Sequence, residues 1–149
     1  MLAAKGIPFK AHELPGGKLG GVEAARFLKV DEKQVFKTIV ALPGEGGKPI
    51  LALVPAPNQV DLKLLGRALD RKRLQLATQA EAEKLTGLKV GGISPLALAG
   101  RGFTVVLDDS AFLFTEIYLS GGQHGLNISL SPKAIQEFTR ARTASICAS

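Results

Sequence analysis

The chain has 149 residues, of which 46% are hydrophobic and 21% charged. That balance suits one folded domain with a sizeable core and excludes a disordered or fibrous chain. The formal net charge of +6 fits a polyanionic partner through counterion release, and fits equally a protein that is simply basic.

The apolar runs, such as ILALV (50–54), are too short to span a bilayer. The start, MLAAKGIPFK, has no extended apolar region, so no secretory signal and a cytoplasmic location are expected. The single cysteine, Cys147, allows no internal disulfide and, in a terminal tail, reads as a bystander rather than a nucleophile. His12 and His124 lack metal-binding spacing, and no metal or other cofactor is expected.

In chain order, IPFKAHEL (7–14) reads as a first strand and PGGKLGG as a glycine-rich loop. VEAARFLKV reads as a helix with Val22, Ala25 and Leu28 on one face. Asp31 can cap a short turn, DEKQ. VFKTIVAL (35–42) and ILALVPA (50–56) are strands separated by the turn chemistry of LPGEGGKP, hence a hairpin. DLKLLGRALD (61–70) is an amphipathic helix capped by Asp61, with Leu62, Leu65 and Leu69 inward and Lys63 and Arg67 outside. RKRLQLAT reads as a basic edge leading into a strand. TQAEAEKLTG reads as a helix from the Thr78 cap to Gly87, with Glu81 near its positive end.

GFTVVLDDS (102–110) is a strand. TEIYLSGGQHGLNISL gives two more around a glycine-containing turn, and the stretch before it is open to a helical reading. SPKAIQEFTRA begins a helix with Ser131 as cap and Pro132 as first residue. The order β-α-β-β-α-β-α-β-β-β-α predicts the α/β (mixed α+β) class. A single domain over residues 1–149 is expected, with a mixed central β-sheet and flanking helices rather than a doubly wound parallel sheet.

Four segments could carry chemistry. Lys37 lies in an otherwise apolar strand, where an ammonium must snorkel to water, find a partner or serve a ligand. VGGISPLALAG (90–100) is either a connector or a place where a ligand approaches the main chain. SGGQHGLNI (120–128) is either a hairpin turn or a backbone nest for an anion, with His124 beside it. Lys63, Arg67, Arg71, Lys72 and Arg73 form either an RNA-backbone surface or a solvated face. Aromatic residues are few, which argues against sequence reading of single-stranded RNA by stacking.

VFKT, VGGISPLA and SGGQHGL, in this order across nearly the whole chain, resemble the YbaK/EbsC family. Its members are free-standing relatives of the editing domain inserted in bacterial prolyl-tRNA synthetases. The resemblance implies a YbaK-like editing fold and deacylation of mischarged Cys-tRNA(Pro) in trans. In this resemblance Lys37 matches the family's essential lysine. Gly91, Gly92, Ile93, Ser94 and Pro95 match the loop beside the aminoacyl pocket, and Ser120, Gly121 and Gly122 match a second wall.

Ala97 stands where members often have glycine, Asn127 where some have aspartate, and Leu14 where some have tyrosine. These departures bear on which amino acid is removed. The resemblance also implies that the substrate's own thiol attacks its carbonyl. The expected partners are the 3′ end and acceptor stem of tRNA(Pro), held by Lys63, Arg67, Arg71 and Arg73, with prolyl-tRNA synthetase as a candidate further partner and no membrane. Two alternatives stand beside this reading: removal of alanine from tRNA(Pro), and a non-catalytic module that binds tRNA or a synthetase.

Overall fold

The computed structural model describes residues 8–14, 21–123 and 125–148. His124 and most of the glycine-rich loop at 15–21 lie outside the described residues. The elements run β1 (Lys10–Glu13), α1 (Gly21–Leu28), β2 (Phe36–Pro43), β3 (Ile50–Pro55), α2 (Leu62–Leu69) and β4 (Leu74–Leu76). They continue with α3 (Gln79–Thr86), β5 (Thr104–Asp108), β6 (Ile117–Ser120), β7 (Leu126–Leu130), α4 (Pro132–Thr139) and β8 (Arg142–Ala144).

The helix starts follow the caps. Asp61 accepts the backbone N–H groups of Lys63 and Leu64 at the head of α2. Thr78 and Glu81 form a reciprocal capping box on α3. Ser131 accepts from Ala134 while Pro132 opens α4. Asp31 caps a one-turn 3-10 segment, Glu32–Gln34, and a second such segment, Asp109–Leu113, fills the stretch that the sequence left open to a helix.

The expected hairpin is present: β2 and β3 pair antiparallel from Phe36 opposite Pro55 to Ala41 opposite Ile50. They lie inside a mixed five-stranded sheet of order β4-β2-β3-β5-β8, in which β5 and β8 run parallel to their neighbours. A second, three-stranded antiparallel sheet of order β1-β7-β6 accompanies it. β8 is an addition to the elements read from sequence. At three residues it is too short to show a period of two, and only Ala141 separates it from the left-handed C-cap Arg140 of α4.

The main core lies between the two sheets. Phe36, Val40, Leu51, Leu53, Val105 and Leu107 of the larger sheet pack with Ile117, Leu119, Ile128 and Leu130 of the smaller. Leu96 and Leu98, from the loop after α3, are buried in the same cluster. The opposite face of the larger sheet carries Ala41, Ile50, Ala52, Val54 and Val106, covered by Leu65 of α2 and Ile146 of the C-terminal segment. On the outer face of the smaller sheet, Tyr118 packs with Ala25 of α1 and with Val35. No helix among the described residues is long and apolar enough to cross a membrane.

Candidate functional site

Strand alternation places Lys37 with Ile39 and Ala41 on the face of β2 opposite Phe36 and Val40. Lys37 pairs with Val54 across the hairpin and is half-buried. It makes no hydrogen bond or ion pair among the described residues. Burial pushes its ammonium below the ordinary lysine range, and the nearby Cys147 acts in the opposite direction.

The smaller sheet supplies a polar row. Asn127 of β7 is flanked in register by His12 of β1 and Ser120 of β6, so all three side chains leave the sheet on one face. His12 Nε2 lies 2.9 Å from Ser129 Oγ, two residues along the same face of β7. Asn127 is 6% exposed, yet its Oδ1 has no hydrogen-bond partner among the described residues. A buried carbonyl oxygen is rarely left so, and its position marks where a donor is needed.

These elements meet around a cavity of about 230 Å³. Lys37 lines it from β2, Gly91 and Ile93 from the loop after α3, Ser120 from β6 and Asn127 from β7. Three stretches distant in sequence therefore converge. Gly91 has φ +92, so this part of the wall is main chain with no side chain in front of it. The other residues matched to the loop and the second wall stand behind the lining. Gly92, Ser94 and Pro95 are buried, and Ser94 Oγ accepts the Leu96 N–H at 3.2 Å. Ala97, Gly121 and Gly122 lie where the two loops touch.

Sequence reading missed part of the lining. Leu14, noted only as a departure, lines the cavity, as do Gly21 and Ala24 of α1, Phe36, Thr38 and Gln123. Phe36 and Thr38 belong to the VFKT motif and could have been found there. Gly21 and Ala24 contribute shape alone. A side chain on Gly21 would begin 2.5 Å from the Ala56 methyl, so the helix docks only because that position is bare.

Lys63, Arg67, Arg71, Lys72 and Arg73 gather around a separate groove of about 460 Å³ between α2 and β4. β4 pairs with the C-terminal end of β2, with Leu74 opposite Pro43. Lys37 is near the other end of that strand, six residues away, or about 20 Å along it.

Cys147 forms a β-bridge with Val60. Its thiol is pushed up to about 12 by burial and then by Asp108, which repels a thiolate and hydrogen-bonds the thiol; Asp109 adds to this and Lys37 opposes it. It is a neutral thiol at neutral pH. Asp108 also accepts the Ile146 N–H at 3.0 Å, which ties the C-terminal segment to β5. Among the described residues no group of three or more His, Cys, Asp or Glu could hold a metal ion.

The arrangement offers a cation on one wall, an unfilled acceptor on another, and exposed main chain between them. Comparisons with known proteins bear on what it takes. Residues 20–138 match the family of aminoacyl-tRNA editing domains. EbsC of Enterococcus faecalis, which carries a provisional name as a Cys-tRNA(Pro)/Cys-tRNA(Cys) deacylase, is 30% identical over 142 residues, covering 94% of this chain and 85% of that one. A proline–tRNA ligase of Streptococcus gordonii is 36% identical over 86 residues, which are 58% of this chain and 14% of the ligase. A crystal structure described as a candidate trans-editing enzyme for prolyl-tRNA synthetase superposes with a TM-score of 0.81 at 27% identity, covering 95% of this chain and 87% of that one. The hypothetical protein APE2540 superposes with a TM-score of 0.90 at 25% identity, covering 99% and 96%.

Proposed function

The chain belongs to the aminoacyl-tRNA editing domain family, and from that premise we propose that it is a trans-acting deacylase of mischarged Cys-tRNA(Pro). The observation that carries this reading is the pairing, in one small cavity, of Lys37 with the unfilled Asn127 acceptor. An aminoacyl-tRNA 3′ end presents a phosphodiester anion and, beyond the ribose and the ester, an α-ammonium. Lys37 suits the first and Asn127 Oδ1 the second. A volume of about 230 Å³ is below the usual range for small-molecule sites, about 300–1,000 Å³, and favours a small aminoacyl group.

The ester is already activated, so the site needs placement more than a nucleophile. No described cysteine can serve as one, since the Cys147 thiol is held neutral. In the proposed reaction the substrate's own sulfur attacks its carbonyl carbon. The C–S bond forms, the ester C–O bond breaks, and the thiol proton ends on the departing ribose oxygen. The products are a cyclic thiolactone and free tRNA. The step is intramolecular, and holding the reactive conformer supplies much of the rate. Lys37 anchors the 3′ end and offsets the charge that develops on the ester; main-chain N–H groups at the Gly91 wall are the oxyanion donors of this scheme.

The basic groove takes backbone phosphates of the acceptor stem about 20 Å from the cavity, with little base reading. A chain of this size offers limited area for choosing one tRNA, and prolyl-tRNA synthetase is the partner we assign to that choice. The work of such an enzyme lies in the cytoplasm, where tRNA is charged. The test is to incubate the protein with tRNA(Pro) charged separately with cysteine and with alanine. Loss of the cysteinyl ester with formation of the thiolactone supports the reading. Preferential loss of the alanyl ester, which has no thiol, contradicts it and requires a water nucleophile. Tight tRNA binding with both esters intact makes the protein a binding module.

A further inference from the structure

We propose that Ala97 is a strut that sets the gap between the two walls of the cavity, and thereby the size of aminoacyl group accepted; the size role rests on the deacylase reading above. Leu96 and Leu98 are 2% and 1% exposed and locked in the main core. Ser94 fixes the turn between them, its Oγ accepting the Leu96 N–H at 3.2 Å and its carbonyl the Leu98 N–H at 3.3 Å. The residue between two such anchors has little freedom to move.

Ala97 faces the opposite wall at Gly122. A side chain on Gly122, where φ is +102, would begin 3.2 Å from the Ala97 methyl. The Gly122 N–H donates to Ser120 Oγ at 3.2 Å, and Ser120 lines the cavity. The neighbouring Gly121 donates its N–H to the Leu126 carbonyl at 2.9 Å, and a side chain there would begin 2.6 Å from Leu126. Leu126 also lines the cavity. The turn is therefore held between Leu126 on one side and the Ala97 methyl on the other. The same loop that supplies Gly91 and Ile93 to one wall props the other wall through one methyl group. Removing the methyl lets the two walls close on the gap between them, and enlarging it pushes them apart.

The experiment compares wild type, Ala97→Gly and Ala97→Val on tRNA(Pro) charged with alanine, cysteine and leucine. Backbone hydrogen exchange at Gly121 and Gly122 is read in parallel. The expected result for Ala97→Gly is a fall of about tenfold in kcat/KM for the leucyl ester relative to the alanyl ester, the usual scale for a methyl-sized change in a pocket. Exchange at both glycines speeds up in the same variant. Ala97→Val shifts preference the opposite way, toward leucine. A purely structural role would lower all three esters together and leave their ratios fixed. Ratios constant within about twofold in both folded variants, or unchanged exchange in Ala97→Gly, overturn the strut. If the wild type cleaves no ester at all, the deacylase reading and the size role fall together, and the exchange data alone decide whether the strut exists.

Discussion

Ser120 and Asn127 are direct register partners on β6 and β7, and both side chains enter the cavity that Lys37 lines from the other sheet. The pairing fixes a hydroxyl beside an amide on rigid strands, opposite a half-buried ammonium. The site is thus a product of where the two sheets meet, and its chemistry can be dissected one residue at a time.

The first consequence concerns Asn127. Its buried Oδ1 has no hydrogen-bond partner among the described residues, a state that is unfavourable by about 1–3 kcal/mol. Asn127→Leu, similar in shape and without the acceptor, is expected to raise the melting temperature while lowering kcat/KM at least tenfold. Thermal denaturation and deacylation on the same preparation check both halves. A variant that is less stable and fully active contradicts the assignment.

Lys37 gives a pH dependence. Burial depresses its folded pKa below 10.5, so the unfolded chain holds this proton more tightly. Stability contributed by this group therefore rises with pH between the folded value and 10.5, and falls away as pH drops through the folded value. NMR titration of the Lys37 Nζ should show a midpoint below 10.5, and adding a CCA trinucleotide should raise it, because a bound phosphodiester favours the charged form.

Much of this was legible in the sequence, for physical reasons that differ by element. Caps at Asp61, Thr78 and Ser131 mark helix starts because unpaired N–H groups demand an acceptor. The VFKTIVAL and ILALVPA runs show their hairpin because turn chemistry lies between them. β8 is too short to carry a period, and the division into two sheets depends on long-range pairing that local pattern does not encode. In the site, Lys37 and the glycine-containing segments around Gly91 and Ser120 stood out from bland strand and loop chemistry, whereas Ile93 and Asn127 entered only through the family resemblance. The α1 wall was invisible because Gly21 and Ala24 act only by being small.

Cys147 should be inert. A thiol pushed up to about 12, against the ordinary 9.0, holds about a thousandfold less thiolate at pH 8. Iodoacetamide labelling of the native protein should run slower by about that factor than labelling in urea. Asp108→Asn should speed native labelling by removing the repulsive carboxylate. Fast native labelling of the wild type contradicts the burial of this thiol.

The basic groove should act through phosphates alone. Arg67→Ala and Arg71→Ala are each expected to weaken tRNA binding and reduce the salt slope by about one. Both residues line the groove between α2 and β4. Neither substitution should alter cleavage of an aminoacyl-CCA fragment, which is too short to reach the groove. Equal losses on tRNA and on the fragment would place these residues in the reaction rather than in binding.

The most direct measurement compares wild type and Lys37→Ala in deacylating cysteinyl-tRNA(Pro), with circular dichroism confirming that both are folded. The account predicts that the wild type clears the ester and that the variant loses about a hundredfold or more in kcat/KM, the scale seen when a charge-stabilising donor is removed. A folded Lys37→Ala protein that deacylates at the wild-type rate would contradict it and move the reaction away from this cavity.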